Sequence, residues 1–189
     1  MGGITMQLWE KSGKENTKST VNAVITKAQE LGIGHVVVAS NTGATARQFL
    51  NSGLKIVCVT HQVGFREPGS DEMPAEVRQE FKELGVKVLT TTHLFRGVNR
   101  GFTQVHGGFD PGMAVADTLR LFGQGTKVAV EVAVMALDAG LIPYGQDIIA
   151  VGGSGRGADT ALVLRPAHSG EFLQTKIREI ICKPREWER

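Results

Sequence analysis

The residues best suited to hold an anion follow one another in Ser40-Asn41-Thr42-Gly43-Ala44-Thr45, directly after the apolar run Val36-Val37-Val38-Ala39. Small polar residues at the end of a β-branched run, followed by helix-compatible Ala44 to Leu50, give a strand, a tight loop and a helix. The first amides of such a helix lack intrahelical partners and present the positive end of its dipole. Ser40, Thr42 and Thr45 would add hydroxyl donors, with Asn41 beside them, and Gly43 would let the backbone approach a ligand. Phosphate binding is the chemistry this suggests. The plainer alternative is that Ser40, Asn41 and Thr42 only cap the helix.

A second anion-suited stretch is GGSGRGADT, Gly152 to Thr160. Four glycines in six positions suit a backbone that wraps an anion, and Arg156 could neutralise a phosphate with its forked donors. Gly152, Gly153, Ser154, Arg156 and Gly157 are therefore candidate binding residues. The segment is not a dinucleotide fingerprint, because ALVLRP after it reads as a strand rather than a helix. The alternative here is a sharp hairpin.

His61 and His93 each fall just past a strand, where a neutral imidazole could donate to a ligand or shuttle a proton. Neither has metal-ligand spacing, and no metal is expected. Glu131 interrupts the apolar run KVAVEVAVMALDA, and an ionised carboxylate in a core needs a partner. A buried hydrogen bond to a loop backbone is the expectation for it. For a catalytic reading His93 and Glu131 are the candidates, and no general base is assigned.

The elements that must position these groups alternate. A short leading strand is expected at Met6 to Trp9, then a turn over Lys11 to Asn16. A helix capped by Asn16 or Thr17 runs to Leu31, with Val21, Val24, Ile25, Ala28 and Leu31 on one face and Gly32 ending it. After the first core strand and its helix come a strand at Lys55 to Val59, a long loop through Phe65 and Arg66, a helix from Pro74 to Leu84, and a strand at Val86 to Leu89. Arg96 to Asp110 reads as a Gly-rich passage without regular structure, and Pro111 starts a helix through Phe122. Lys127 to Ala139, KVAVEVAVMALDA, is ambiguous: its β-branched content suggests a strand, but its length and its Ala and Met content favour a buried helix. Late strands are expected at Gln146 to Val151, Ala161 to Leu164 and Lys176 to Ile181, including an antiparallel pair, with KPREWER as a solvated tail. In open sheets of this kind ligands bind beyond the carboxyl ends of the strands. If the strands are parallel, the loops after residues 39, 59, 89 and 151 share one edge.

Composition sets the bounds. The 189 residues fit one domain with a sizeable core, and 41% hydrophobic with 21% charged residues is ordinary for a folded soluble protein. A net charge of +2 with mixed signs argues against a nucleic-acid or membrane partner. The start MGGITMQLWEKSG lacks a secretory pattern and no apolar stretch is long enough to cross a bilayer, so the cytoplasm is the expected location. Cys58 and Cys182 are too sparse for a disulfide framework or zinc site and are read as buried thiols.

HVVVASNTGATARQFLNSGLKIVCVT resembles the strand, loop, helix and strand of the carboxyl-terminal domain of pyruvate kinases, in which this loop holds a phosphate of a sugar-bisphosphate effector. DAGLIPYGQDIIAVGGSGRGADTALVL resembles the end of the same domain, so the likeness runs from about Thr17 to Leu164. Closer still is the similarity to free-standing archaeal and bacterial domains of this kind, through GKENT, TGATA, MPAEV, VEVAVMALDAGLIP and GGSGRGADTALVLRPAH. The resemblance implies a three-layer α/β/α sandwich with a mostly parallel sheet and one antiparallel strand, a phosphorylated small-molecule ligand, and self-association. Flavin mononucleotide is the cofactor it suggests first. The barrel that carries kinase chemistry is not in these residues, so pyruvate kinase activity is not carried over. Two other functions stay open: a flavin-dependent or phospho-metabolite enzyme using His93 or Glu131, and an effector-sensing regulatory module.

Overall fold

A continuous β-branched run with no polar alternation has to be buried on both faces, and the central strands are. The computed structural model describes residues 6–187; the first five residues of the amino-terminal segment and the end of the KPREWER tail lie outside them. The elements are β1 (Gln7–Lys11), α1 (Thr17–Leu31), β2 (His35–Ala39), α2 (Ala44–Arg47), β3 (Lys55–Val59), α3 (Ala75–Glu83), β4 (Lys87–Leu89), α4 (Val98–His106), α5 (Pro111–Arg120), α6 (Gln124–Asp138), β5 (Ile148–Gly152), β6 (Thr160–Arg165) and β7 (Lys176–Glu186). A 3-10 turn at Lys14–Asn16 precedes α1, and another spans Ser169–Gln174.

The strands form one sheet in the order β1-β7-β6-β5-β2-β3-β4. Only β6 runs against the rest, pairing antiparallel with β5 and β7. The fold is thus α/β with a mixed, mostly parallel sheet. Val36 and Val38 pack with Val24, Phe49 and Phe81 on one side, while Val37 packs with Ala133, Ala136 and Leu137 of α6 on the other. This two-sided burial makes three layers. Gly125 and Gly152 allow α6 to sit hard against the sheet: a Cβ on Gly152 would lie 2.3 Å from the Gly125 carbonyl oxygen.

Four expectations need correction. The passage from Arg96 to Asp110 contains α4, whose Gly101 and flanking Gly97 and Gly107 disguised it as loop. Its Val98, Phe102 and Val105 are exposed, so no core contact demanded an inward apolar stripe. The KPREWER tail is not merely solvated, because Lys183 to Glu186 extend β7 beside β1, with Leu8 opposite Lys183. Finally, α2 is a single turn ending at Arg47, and Phe49 is anchored by a tight turn after it. Neither Asn16 nor Thr17 caps α1 through its side chain; the Thr17 hydroxyl instead donates to the Lys14 carbonyl and accepts from the Ala158 amide.

Both cysteines are buried, and desolvation pushes each thiol up to about 12, which leaves them inert. No helix of the described residues is long and apolar enough to cross a membrane.

Candidate functional site

Strand order reverses between β2 and β5, which lie side by side with Val38 opposite Val151. From β2 the chain steps outward to β3 and β4, then returns to the other side of β2 for β5. The loops after these two strands therefore diverge and leave a crevice. A cleft of about 740 Å³ opens there, within the range of small-molecule sites. Ser40, Asn41, Thr42 and Thr45 line one wall, Gly153, Gly155, Arg156 and Gly157 another, and His61 and His93 the side beyond the carboxyl ends of β3 and β4.

The local bonding divides the roles in the first loop. The Ser40 hydroxyl accepts from the amides of Thr45 at 3.1 Å and Ala46 at 3.5 Å, so Ser40 caps α2. Asn41 clamps His61: its Oδ1 accepts from the His61 amide at 3.1 Å, and its Nδ2 lies 3.2 Å from His61 Nε2. His61 Nδ1 lies 2.7 Å from Glu72 Oε1, so the carboxylate holds the Nδ1–H tautomer and Nε2 accepts from Asn41. Among the described residues, the amides of Thr42 and Gly43 have no partner within the chain, and the Thr42 side chain is exposed on the cleft. Gly43 is needed for a different reason from the one its sequence suggests. It is buried with φ 82°, and a Cβ would lie 2.7 Å from Val77 Cγ1, so it admits α3 rather than a ligand. Gly43, Gly152 and Ser154 do not line the cleft.

The glycine-rich segment is the loop of the β5–β6 hairpin, with Gly152 opposite Thr160. The hairpin and the cleft wall are one object. Gly157 has φ 72° and no room for a Cβ, which would come 2.3 Å from Thr17 Oγ1. Asp159 fixes the loop: its buried carboxylate accepts from the amides of Gly13 at 3.2 Å and Ser154 at 3.1 Å and from the Thr160 hydroxyl at 2.8 Å. Sequence reading passed over Asp159, although a carboxylate two residues after a Gly-rich turn signals one that holds its amides.

The third wall comes from β4 onward and is cationic. Arg96, Arg100, Arg120 and Lys127 all line the cleft. Lys127 pairs directly with Glu131, and Glu131 Oε1 also accepts from the Phe95 amide at 3.2 Å, as the sequence leads one to expect. Burial lowers the Lys127 pKa, Glu131 opposes that, and Arg120 and Arg96 lower it further by repulsion. Arg120 is paired with Asp117 at 2.8 Å, whereas among the described residues Arg96, Arg100 and Arg156 make no ion pair. The buried Nε of Arg100 has no hydrogen-bond partner. The Lys127/Glu131 spacing on one helix face was the available signal for this wall.

His93 is half-buried and its pKa is lowered, first by desolvation, then by the nearby His61 and Lys127, against an opposing pull from Glu131. It is therefore neutral near pH 7. Its ring lies 5.3 Å from those of both His61 and Phe65, and Phe65 stacks on His61 at 3.8 Å. Among the described residues no group of three His, Cys, Asp or Glu is placed to hold a metal ion.

These features define an α/β domain whose polar loops converge at a strand-order reversal around a cleft rich in unpaired cations. The chain belongs to the pyruvate kinase alpha/beta domain family, whose model matches residues 18–164. Among solved structures it is similar to a pyruvate kinase from Cryptosporidium parvum, at 16% identity and a TM-score of 0.42, covering 79% of this chain and 22% of that one. It is also similar to a Cryptosporidium parvum pyruvate kinase in complex with ADP, at 17% identity and a TM-score of 0.39, covering 78% and 22%. The chain spans about a fifth of the length of the pyruvate kinases it matches.

Proposed function

We propose that this domain binds a phosphorylated small molecule in the cleft at the carboxyl edge of β2 and β5, with flavin mononucleotide as the first candidate and without pyruvate kinase activity. One observation carries the reading: Thr42 and Thr45, the glycine-rich loop and Arg156 border a common cavity to which Arg96 and Arg100 also contribute unpaired charge. Thr42, Thr45 and Arg156 would meet the phosphate, Ser40 and Asn41 would hold the loop in shape, and Gly153 to Gly157 would close over the ligand. A crowd of like charges costs free energy that an anion removes.

The test is the absorption spectrum and mass of whatever co-purifies, together with thermal melts in flavin mononucleotide. A ligand at a hundred times its Kd stabilises the fold by about 2.7 kcal/mol. A colourless preparation whose melting temperature ignores the flavin rules that cofactor out. Self-association rests on the resemblance alone, and light scattering on the purified chain tests it.

A catalytic reading has one supporting observation, the neutral His93 at the cleft side, which could move a proton. Glu131 is a weaker candidate, since both its oxygens are engaged. If His93→Ala binds ligand and every turnover tested is unchanged, the catalytic role fails.

A further inference from the structure

The cleft is not uniformly polar, and its apolar part has no use in holding a phosphate. Besides the hydroxyl-lined loop it is bordered by Phe65, Phe95, Ala116, Val128 and Val132. Phe65 sits in the irregular segment between β3 and α3, whose neighbours Val63 and Arg66 are exposed. A phenylalanine there has no hydrophobic layer to join; it borders the cleft and is only half-exposed because His61 stacks on its ring and the Arg96 guanidinium lies over it. It lies 3.8 Å from the His61 ring with an interplanar angle of 22°, and the Arg96 guanidinium carbon is 4.6 Å from its centroid. His61 is itself locked by Asn41 and Glu72, so the platform is pre-set rather than adaptable. Rings and a guanidinium gathered beside a cavity are the surface on which planar heteroaromatic groups stack. A sugar phosphate has no planar group to add to that stack.

We infer that the cleft contains a ring-binding subsite formed by Phe65, His61 and Arg96, which takes a planar aromatic or heteroaromatic group carried on the phosphorylated ligand. The inference rests on the phosphate reading above and narrows it, because it selects a ring-bearing phosphate ester over a sugar bisphosphate. The phosphate end and the ring end are then recognised by separate walls, and the two can be perturbed separately.

The experiment is isothermal titration of the whole chain and its Phe65→Ala and Phe65→Trp variants with two probes, flavin mononucleotide and ribitol 5-phosphate, which shares the phosphate chain but lacks the ring. The wild type binds the flavin more tightly than the ringless ester. Phe65→Ala weakens flavin binding on the order of ten-fold and leaves ribitol 5-phosphate unchanged, while Phe65→Trp restores the difference. Flavin emission is quenched in the wild type and recovers in Phe65→Ala. Equal loss for both probes, or an unchanged flavin affinity in Phe65→Ala, overturns the subsite. If the wild type binds both probes equally, the subsite falls and the phosphate reading stands; if it binds neither, the phosphate reading falls and takes the subsite with it.

Discussion

Replacing Glu131 by Gln removes one charge from the cleft wall without changing the shape of the side chain. The Phe95 amide keeps an acceptor, so what is lost is the ion pair with Lys127, whose partners are 7% and 4% exposed. A buried pair broken on one side leaves an uncompensated charge, at a cost of about 3–5 kcal/mol. Lys127 has an escape, which is to lose its proton. Doing so at pH 7 costs about 4.6 kcal/mol from an ordinary lysine pKa, and less from one already lowered, so deprotonation caps the penalty near the same figure. Arg96 and Arg120 also repel the Lys127 ammonium, which favours its neutral form further. For a chain of this size about 4 kcal/mol corresponds to roughly 10 °C in melting temperature.

The pH dependence carries the sign. Without Glu131 the folded lysine pKa falls further below its unfolded value, so the unfolded state binds more protons between the two, and the stability of Glu131→Gln rises as pH is raised through that window. Urea denaturation at pH 7 and pH 9 reads both effects. A loss under about 1 kcal/mol at pH 7, or a deficit that does not shrink at pH 9, would refute the assignment of Glu131 as the counter-ion that keeps Lys127 charged.

Gly43→Ala should destabilise by about 2–4 kcal/mol, since it adds left-handed strain at φ 82° to a 2.7 Å clash with Val77, and a shift of the urea midpoint measures it. Asp159→Asn replaces an acceptor of several bonds by a group that also donates, and should cost about 1–3 kcal/mol while speeding hydrogen exchange at the Ser154 amide. His93 has a folded pKa below its ordinary 6.5, so it adds stability above pH 6.5 that is lost as pH falls through the folded value. His35 shares that behaviour, so His93→Gln should flatten, without abolishing, the fall in stability between pH 7 and pH 5.

Much of the fold can be read from the chain because the strongest signals coincide with burial. Val36 to Val38 is apolar without alternation and is buried on both faces; KVAVEVAVMALDA was ambiguous by composition, but its length identified it as the helix α6. What misled was signal without a core behind it. The apolar positions of α4 face outward, so their spacing competes with three glycines in and around the helix. The strand character of Lys183 to Glu186 is set by pairing with β1, a partner some 175 residues earlier that no local window contains.

The site divides along the same line. Residues just beyond a strand could be placed at the cleft from their position alone, because a parallel sheet brings all such loops to one edge, and Thr42, Thr45, His61, His93 and Arg156 lie there. Their individual duties could not be read, since these depend on which neighbour the sheet order supplies. Asn41 holds His61 because β2 pairs with β3, and the hairpin loop faces Thr42 because β5 returns to the other side of β2. Glycine was the most deceptive letter. At 43 and 152 it marks where a helix must come close, at 157 where a turn must pass Thr17, and in no case does the space it leaves belong to a ligand. Most of the cationic wall is illegible for the opposite reason: Arg96, Arg100, Arg120 and Lys127 are spread over three helices and a loop, and the packing of α5 on α6 that brings Arg120 beside Lys127 is not a local signal. A cleft built this way draws its shape from glycines and its charge from distant helices, which is why changes at Gly43 should be felt in stability and changes at Arg156 or Phe65 in binding.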